Sequence, residues 1–197
     1  MKKYQQFIVE KMLILSKEKS VLDLGGGERF QKWLLPYKEL FKNVNYKTMD
    51  YDERTGADVV GDIHKIPLGD ESTDSIICSS VLEHVKDPIR AVMEIHRILK
   101  KNGKVFVYVP SIYPYHARKG SYPDYWRFFD DTLIMLFEKF SSVELVKGGG
   151  YFKTLSFFFP MQHKLKWLLD PVSNCLDLLF QTKKRTTTYG YFLYAVK

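Results

Sequence analysis

A glycine-rich turn directly after a short apolar run is the feature that most constrains the fold of this chain. Residues 21–27 read VLDLGGG, which predicts a buried strand that ends in a turn without side chains. Such a turn lets the backbone approach a ligand closely, because no Cβ stands in the way. Residues 45–50 predict a second strand that ends in an acid, Asp50. Glycine turn, helix, strand and acid form the order of a nucleoside-binding βαβ unit, in which the carboxylate accepts hydrogen bonds from ribose hydroxyls.

Predicted helices and apolar strands alternate along the rest of the 197 residues, a length that suffices for one α/β domain. This alternation indicates a parallel sheet covered on both faces, with ligand outside the carboxyl ends of the strands. Asp87 and Pro88 predict a helix start, and Asn102 with Gly103 predicts its end. The predicted strands are 20–24, 45–50, 58–62, 74–79, 104–110, 142–146 and 187–196. The predicted helices are 3–18, 29–36, 88–101, 130–139 and 155–180, the last interrupted near 170–171.

The composition favours a protein of the reducing cytoplasm. The formal net charge is +7, but the basic residues are scattered except at 183–185, and no RNA-binding or DNA-binding signature accompanies them. Cys78 and Cys175 do not make a disulfide framework. Neither a signal peptide nor a run long enough to cross a bilayer is evident. We therefore expect a cytoplasmic location and no nucleic-acid partner.

Five motifs in order carry a resemblance to a known family. They are the Asp-x-Gly-x-Gly turn at 23–27, the acid Asp50, and the runs 61–63, 81–85 and 95–103. In this order the chain resembles the class I S-adenosylmethionine-dependent methyltransferases, and more closely their type 11 group, over about residues 20–110. The resemblance implies a doubly wound, Rossmann-like methyltransferase fold, with a mostly parallel seven-stranded sheet, an antiparallel C-terminal strand and helices on both faces. It also implies one domain over 1–197, with the cofactor half at about 1–110 and the acceptor loop and C-terminal part at about 111–197.

The resemblance implies a site for S-adenosylmethionine, which becomes S-adenosylhomocysteine as product. The three glycines would let the backbone reach the methionine part of the cofactor, and Asp23 would hold that turn and the cofactor's amino group. Asp50 would take both ribose hydroxyls. The residues implied to bind the cofactor are Asp23, Gly25, Gly26, Gly27, Asp50, Tyr51, Asp62, Ile63, Ser79 and Val81.

The later members of that set divide between the two ends of the cofactor. Asp62 would meet the adenine amino group, with Ile63 and Tyr51 against the ring. Ser79 and Val81, at the end of the fourth predicted strand, would line the methionine tail and the sulfonium. The alternative role for each acid is to cap a loop.

Two positions in the turn depart from related fingerprints. Arg29 stands where the type 11 group often has a third glycine, so it either crowds the pocket or points outward. An NAD-binding Rossmann unit is the main competitor, but its fingerprint requires a third glycine at position 30, where this chain has Phe30. The dinucleotide is therefore not the expected cofactor.

Two histidines are candidates for catalysis. Methyl transfer from a sulfonium mainly requires alignment, and a base is needed only where the acceptor must lose a proton. His84 and His116 are the candidate bases, and orienting its loop is the alternative role for His84. Glu83-His84 also resembles a segment of ubiquinone-pathway O-methyltransferases, some of which hold a metal there with another Glu where this chain has Ser80. Because that ligand is missing, the sequence predicts no metal.

The aromatic segment 111–129 lies on the acceptor side in this fold. Aromatic rings beside His and Arg suit a lid that binds a planar or sugar-like ring and an anion, so the candidate acceptor-binding residues are Tyr115, Tyr125 and Arg127. The His and Asp-Tyr-Trp-Arg pattern resembles that of methyltransferase-like proteins encoded with cell-surface polysaccharide enzymes. The alternative is a packed loop in which Asp124 pairs with Arg127.

The resulting hypothesis is methyl transfer to oxygen or nitrogen of a small-molecule or saccharide-like acceptor, with cell-surface polysaccharide biosynthesis as the candidate setting. Two alternatives stay open. One is a methyltransferase-shaped binding or scaffold protein that binds cofactor weakly or not at all, and the other is an RNA methyltransferase, which the positive charge suggests. The Asn-Pro-Pro-aromatic motif of amino-methylating enzymes is absent after the fourth predicted strand.

The apolar segment 155–170 leaves the assembly of the protein open. It mixes Phe, Leu and Trp with Lys, so we expect it to cover the sheet or to form a dimer face, with peripheral membrane contact as the other alternative. The chain is accordingly expected to be a monomer or a homodimer.

Overall fold

A seven-stranded sheet forms the centre of the structure, a computed structural model that describes residues 2–30, 32–182 and 187–197. Its strands are β1 (Ser20–Leu24), β2 (Asn45–Asp50), β3 (Val59–Val60), β4 (Thr73–Ser79), β5 (Leu99–Pro110), β6 (Ser142–Lys147) and β7 (Gly190–Val196). They are ordered β3-β2-β1-β4-β5-β7-β6. Strands β1 to β5 pair in parallel, whereas β7 is antiparallel to both β5 and β6. The predicted doubly wound, Rossmann-like sheet with an antiparallel C-terminal strand is confirmed.

Hydrophobic clusters on both faces of the sheet hold the helices against it. Side chains alternate along β5, so Val105 and Val107 join one cluster while Phe106 joins the other. The first cluster includes residues of α2 and α3, and the second includes residues of α1 and of the 3₁₀ segment Lys32–Phe41. The helices in the described ranges are α1 (Lys3–Leu15), α2 (Pro88–Ile98), α3 (Asp130–Leu136), α4 (Tyr151–Ser156) and α5 (Gln162–Leu179).

Helix α2 begins as predicted and ends earlier. The Asp87 carboxylate accepts the Arg90 backbone N–H at 2.9 Å, and Pro88 occupies the first turn. The predicted end at Asn102 and Gly103 is wrong, because the chain enters β5 directly at Leu99, which is buried and pairs with Thr73 of β4. Burial of Leu99 in the sheet outweighs the local capping signal.

The helix predicted from Arg29 to Pro36 is also replaced by a different element. A 3₁₀ segment, Lys32–Phe41, stands there and contains Pro36. Proline removes the hydrogen bond to the carbonyl four residues back and clashes with it, so the chain avoids α-helical pairing at this point. The third predicted strand is shorter than expected, with only Val59–Val60 paired to β2.

Several apolar side chains of α5 face solvent, so the expectation that this segment covers the sheet is wrong, whereas the alternative of a dimer face stays a prediction. The exposed fraction of Trp167 is 75%, and Leu178 is also exposed, whereas Ser173 and Asp177 are buried. The Asp177 carboxylate accepts the Phe152 and Lys153 backbone N–H groups and so joins α5 to the start of α4. Helix α5 runs through Pro171 without the predicted break. Within the described residues, no helix is long and apolar enough to cross a membrane.

Helix α2 supplies a test of the core. Ile95 is buried in the first cluster, and Met93 on the same helix is 51% exposed. We expect Ile95→Ala to lower the free energy of unfolding by about 2–5 kcal/mol, because it leaves a cavity under the sheet. Met93→Ala should lower it by less than about 0.5 kcal/mol. Urea denaturation of both variants checks this, and equal effects would contradict the position of α2.

Candidate functional site

The carboxyl ends of three neighbouring strands meet at one edge of the sheet. Strand β1 lies between β2 and β4, so Leu24 is paired with Met49 on one side and Cys78 on the other. Beyond this point the Gly25 N–H donates to the Met49 carbonyl at 2.7 Å, and the Gly61 N–H donates to the Asp50 carbonyl at 3.0 Å. The structure thus brings together the glycine turn, Asp50 and the segment 61–63.

The glycine turn is closely packed and depends on residues without a side chain. Gly25 and Gly27 have φ angles of +69° and +51°, in the left-handed region that favours glycine. A Cβ on Gly25 would lie 2.5 Å from Val81 Cγ2, and a Cβ on Gly26 would lie 2.5 Å from Asp23 Oδ2. Bare backbone therefore faces the loop after β4, an arrangement that fits the close approach of a nucleoside cofactor.

Asp23 lies beneath the turn and is only 3% exposed. The Tyr46 hydroxyl donates to its Oδ2 at 2.7 Å. Burial raises the pKa of Asp23 to about 7, although the bond from Tyr46 lowers it in part. A cationic group brought to this carboxylate would favour its ionised form.

Asp50 ends β2, the strand that pairs with β1, and Tyr51 follows it. The Asp50 carboxylate is half-buried and accepts the Asp52 backbone N–H at 3.1 Å, which leaves its second oxygen for a ligand. The side chain of Tyr51 is exposed. These two residues therefore offer a hydrogen-bond acceptor and a ring next to the glycine backbone.

The remaining cofactor candidates have partners within the protein. Asp62 accepts the His64 backbone N–H at 2.9 Å, and that bond is the main cause that lowers the pKa of Asp62. Ile63 is buried in the first hydrophobic cluster, so its side chain belongs to the core. Ser79 Oγ accepts the indole N–H of Trp33 at 3.0 Å.

Arg29 points away from the turn, which decides between the two orientations that the sequence left open. Its guanidinium makes two hydrogen bonds to the Asp58 carboxylate, with Nη2 2.5 Å from Oδ1 and Nε 3.1 Å from Oδ2. Phe30 adopts a φ of +57° and stacks on Tyr46 with ring centroids 4.3 Å apart. The departures from the glycine fingerprint therefore do not crowd the turn.

A cluster of Glu83, His84 and His116 lies beside this edge. Glu83 and His84 belong to the 3₁₀ segment Leu82–His84 after β4, and His116 lies in the loop after β5. Glu83 Oε1 is 3.7 Å from Nε2 of His84 and 3.7 Å from Nε2 of His116. The two predicted catalytic histidines thus meet around a buried carboxylate.

The Nδ1 atoms of both histidines face backbone carbonyls. His84 Nδ1 is 2.5 Å from the Pro123 carbonyl oxygen, and His116 Nδ1 is 3.1 Å from the Pro114 carbonyl oxygen. A carbonyl oxygen only accepts, so each Nδ1 carries the proton and each neutral ring keeps a lone pair on Nε2. Burial lowers the pKa of His84, whereas the Glu83 carboxylate is the main cause that raises the pKa of His116.

The loop 111–129 is held by an ion pair and hydrogen bonds between its own residues. Arg127 binds both carboxylate oxygens of Asp124, at 2.6 and 2.7 Å, and donates to the Tyr113 and Pro114 carbonyls. Burial would raise the pKa of Asp124, but Arg127 and the His116 backbone N–H outweigh it and lower it to about 2. The pairing of Asp124 with Arg127 is therefore present, and together with bonds to the Tyr113, Pro114 and Trp126 carbonyls it uses the N–H donors of Arg127.

A cavity of about 480 Å³ opens within the same loop. Tyr115 and Tyr122 line it, and the Tyr122 ring lies 4.4 Å from the ring of His84. Tyr125 is half-exposed nearby, and its backbone N–H donates to the Glu83 carbonyl at 2.8 Å. A larger cavity of about 600 Å³, lined by Arg97 among others, lies near the amino-terminal end of β4 and therefore far from these groups.

Comparisons with known proteins agree with this geometry. Residues 22–107 match the type 11 family model, described as a methyltransferase domain. The 2-methyl-6-phytyl-1,4-hydroquinone methyltransferase of Arabidopsis thaliana is 25% identical over 143 residues, which cover 66% of this chain and 39% of that protein. The demethylmenaquinone methyltransferase of Thermotoga maritima is 30% identical over 113 residues, which cover 53% of this chain and 49% of that protein. The chain thus spans less than half the length of these curated relatives.

The solved structures show the same fold. A SAM-dependent methyltransferase from Archaeoglobus fulgidus superposes with a TM-score of 0.65 at 15% identity, over 98% of this chain and 93% of that one. The fold and the glycine turn are those found in class I methyltransferase domains, and the family match lies over the residues that form the turn. Residues 22–107 are thus similar to the methyltransferase domain of the type 11 family, and the chain shares the fold of the solved SAM-dependent methyltransferase.

Sequence reasoning did not include Glu83 among the site residues. Glu83 stands inside the apolar run Val81 to Val85, and an acid in such a run is expected to need a buried partner. An acid inside an apolar run is therefore the sequence signal that could have identified Glu83 as a site residue. The approach of His116 to Glu83 depends on how the loop after β5 folds back, which no local pattern records.

The glycine turn can be tested with two matched substitutions. Gly25 and Gly56 have similar φ angles, +69° and +71°, but a Cβ would meet Val81 only at Gly25 and nothing within 4 Å at Gly56. We expect Gly56→Ala to cost about 1 kcal/mol of unfolding free energy and Gly25→Ala about 2–4 kcal/mol. The double variant Gly25→Ala with Val81→Ala should lose less unfolding free energy than Gly25→Ala alone, as measured by urea denaturation. Equal losses at both glycines would contradict the close packing.

The raised pKa of Asp23 predicts a pH dependence of stability. The folded pKa is about 7 and the ordinary value is 3.8. The contribution of Asp23 to the free energy of unfolding is complete below pH 4. It is lost as pH rises through about 7, and the loss is at most about 4 kcal/mol. The unfolding free energy of Asp23→Asn minus that of the wild type should therefore rise between pH 4 and 7. A flat difference would contradict the buried, proton-binding carboxylate.

Proposed function

We propose that this protein transfers the methyl group of S-adenosylmethionine to oxygen or nitrogen of a small-molecule acceptor bound beneath the loop 111–129. One observation carries the proposal: the glycine turn touches the loop that leads into the histidine cluster. Val81 lies against Gly25, and its carbonyl accepts the His84 backbone N–H at 2.9 Å. A methyl donor over the turn would therefore stand next to the groups that can receive or polarise an acceptor.

The cofactor side of the proposal uses residues of the first half of the chain. Bound S-adenosylmethionine would supply a methyl group already activated on a sulfonium sulfur. Gly25 to Gly27 would admit its methionine part, Asp23 would hold the turn and face the amino group, and Asp50 would accept from the ribose hydroxyls. Tyr51, Asp62 and Ile63 are proposed for the adenine end, where Ile63 acts through its place in the core. Ser79 and Val81 are proposed for the methionine tail.

The acceptor side of the proposal uses the histidine cluster. The lone pairs of His84 and His116 on Nε2 face the buried Glu83 carboxylate, so this cluster can draw a proton from, or polarise, an acceptor hydroxyl. Tyr115 and Tyr125 are proposed to contact the acceptor ring, because both side chains are exposed and Tyr115 lines the cavity. Arg127 is proposed to shape the loop that binds the acceptor, because its N–H groups bond to Asp124 and to backbone carbonyls. Closure of this loop would exclude water from the reacting atoms.

Two acceptor classes fit these groups. The names of the curated relatives refer to a phytyl hydroquinone and a demethylmenaquinone, both of which are ring compounds. The Phe157 ring lies 5.0 Å from that of Tyr113, and Phe158 and Phe159 beyond it are half-exposed, so an apolar surface adjoins the acceptor loop. We propose that the acceptor is a hydroxylated ring or a saccharide, with cell-surface polysaccharide biosynthesis as one setting.

The segment 155–170 is proposed to contact either a membrane surface or a second copy of the chain. A cytoplasmic location belongs to the same proposal and rests on two free cysteines.

Calorimetric titration tests the cofactor and its site. We expect S-adenosylmethionine and S-adenosylhomocysteine to bind in the micromolar range, at about 7–9 kcal/mol, and NAD not to bind. Asp50→Ala should weaken binding at least about tenfold, because the ribose hydroxyls lose a charged acceptor. Glu53→Ala, which removes an exposed acid three residues along, is the matched control. Unchanged affinity in a folded Asp50→Ala variant would contradict the site, and a wild type that binds none of the three would favour a scaffold role.

A further inference from the structure

The Glu83 carboxylate is buried without a hydrogen bond. The residue is completely inaccessible to solvent, and neither Oε1 nor Oε2 has a hydrogen-bond partner among the described residues. A charged carboxylate in such surroundings is costly unless it is paired or binds a metal. The imidazoles of His84 and His116 are its ionisable neighbours, each 3.7 Å from Oε1 and without a hydrogen bond to it. A cation within reach of these oxygens would complete the pairing.

The two nearest ring nitrogens are spaced for a shared cation rather than for hydrogen bonds. Each Nε2, of His84 and of His116, is 3.7 Å from Glu83 Oε1, which is too long for an N–H···O bond. Ligands about 2.1 Å from a tetrahedral ion lie about 3.4 Å apart, so a small contraction would bring these atoms into a coordination sphere. One ligand atom from each of the three residues lies within 4.8 Å of the others.

The rings are also oriented as metal ligands. The Pro123 and Pro114 carbonyls accept from Nδ1 of His84 and His116, which fixes the tautomer that leaves Nε2 free to coordinate. Asp124 Oδ2 lies 3.3 Å from Nδ1 of His116 and adds a carboxylate behind that ring. Arg127 Nη2 stands farther from the same nitrogen, at 3.5 Å. Carbonyl or carboxylate behind a ligating imidazole is the usual support of a metal site.

We propose that Glu83, His84 and His116 bind a divalent transition-metal cation, of which Zn²⁺ is the best match to these ligands. Two imidazole nitrogens and one carboxylate suit Zn²⁺, Co²⁺ or Fe²⁺ better than Mg²⁺ or Ca²⁺, which prefer oxygen ligands. Three protein ligands leave a position open for water or for an oxygen of the acceptor. The part about the acceptor oxygen rests on the proposed methyl transfer, whereas the cation site itself does not.

The proposal revises the sequence-based expectation of no metal. That expectation rested on Ser80, which cannot replace a carboxylate ligand. The structure brings a third ligand from elsewhere, because His116 reaches the cluster from the loop after β5. The cation would consequently join two segments that lie far apart in the chain and would stabilise the acceptor loop.

Metal titration of the intact protein tests the site. Protein freed of metal with a chelator would be titrated with Zn²⁺ by calorimetry and with Co²⁺ by visible absorption, which reports coordination by protein ligands. We expect one equivalent to bind and the melting temperature to rise. Glu83→Gln and His116→Gln should each weaken Zn²⁺ binding at least about tenfold. His163→Gln, which changes an exposed histidine outside the cluster, should bind as the wild type does.

The outcomes separate this site from the proposed function when the same samples are titrated with S-adenosylmethionine. Absence of a one-equivalent site in the wild type would overturn the metal proposal, as would a site that persists in both Glu83→Gln and His116→Gln. If Glu83→Gln fails to fold, His84→Gln takes its place with the same expected loss. A metal site that behaves as expected in a protein that does not bind S-adenosylmethionine would support the cation and remove the methyl-transfer function.

Discussion

The parallel pairing of β1 with both β2 and β4 is the constraint on which the site depends. It forces the carboxyl ends of three strands to one edge, so Gly25, Asp50 and Val81 become neighbours although they are far apart in the chain. The absence of a Cβ at Gly25 then lets the loop after β4 approach within van der Waals contact. The glycine turn and the loop that leads to the histidine cluster can share this edge only because both conditions hold.

The acceptor side depends on a second, more distant contact. The backbone carbonyl of Glu83 accepts N–H groups from Tyr125 and Trp126, at 2.8 and 3.2 Å, so the loop after β5 is attached to the same residue whose carboxylate faces the histidines. The pair of Asp124 and Arg127 then fixes the fold of that loop. The position of His116 is therefore set by backbone and ion-pair contacts, and not by packing of the imidazole alone.

The parts of the site that could be predicted from the sequence are those with a local signature. The glycine turn and Asp50 follow directly from strands whose apolar pattern is clear, and Asp87 with Pro88 marked the start of α2. Long-range contacts left no such trace: nothing in the segment around His116 indicates that it meets Glu83. Apolar composition also does not say which face is buried: Trp167 lies in the segment that was expected to cover the sheet or to form a dimer face, and its side chain is exposed. Burial is decided by what the rest of the chain brings to each face.

The burial of Glu83 is where stability and function meet. Replacing a buried ion pair by apolar residues of similar volume is often neutral or stabilising, so stability alone gives no reason for an acid here. Each imidazole is held through Nδ1 by a backbone carbonyl, so its Nε2 lone pair faces the carboxylate. Without a cation between them, this arrangement is also unfavourable. A shared cation satisfies all three at once, because it converts one unpaired negative charge and two unused lone pairs into ligands. The same ion would hold the acceptor loop against the strand that positions the cofactor turn, so the binding of metal would couple the order of that loop to the geometry of transfer.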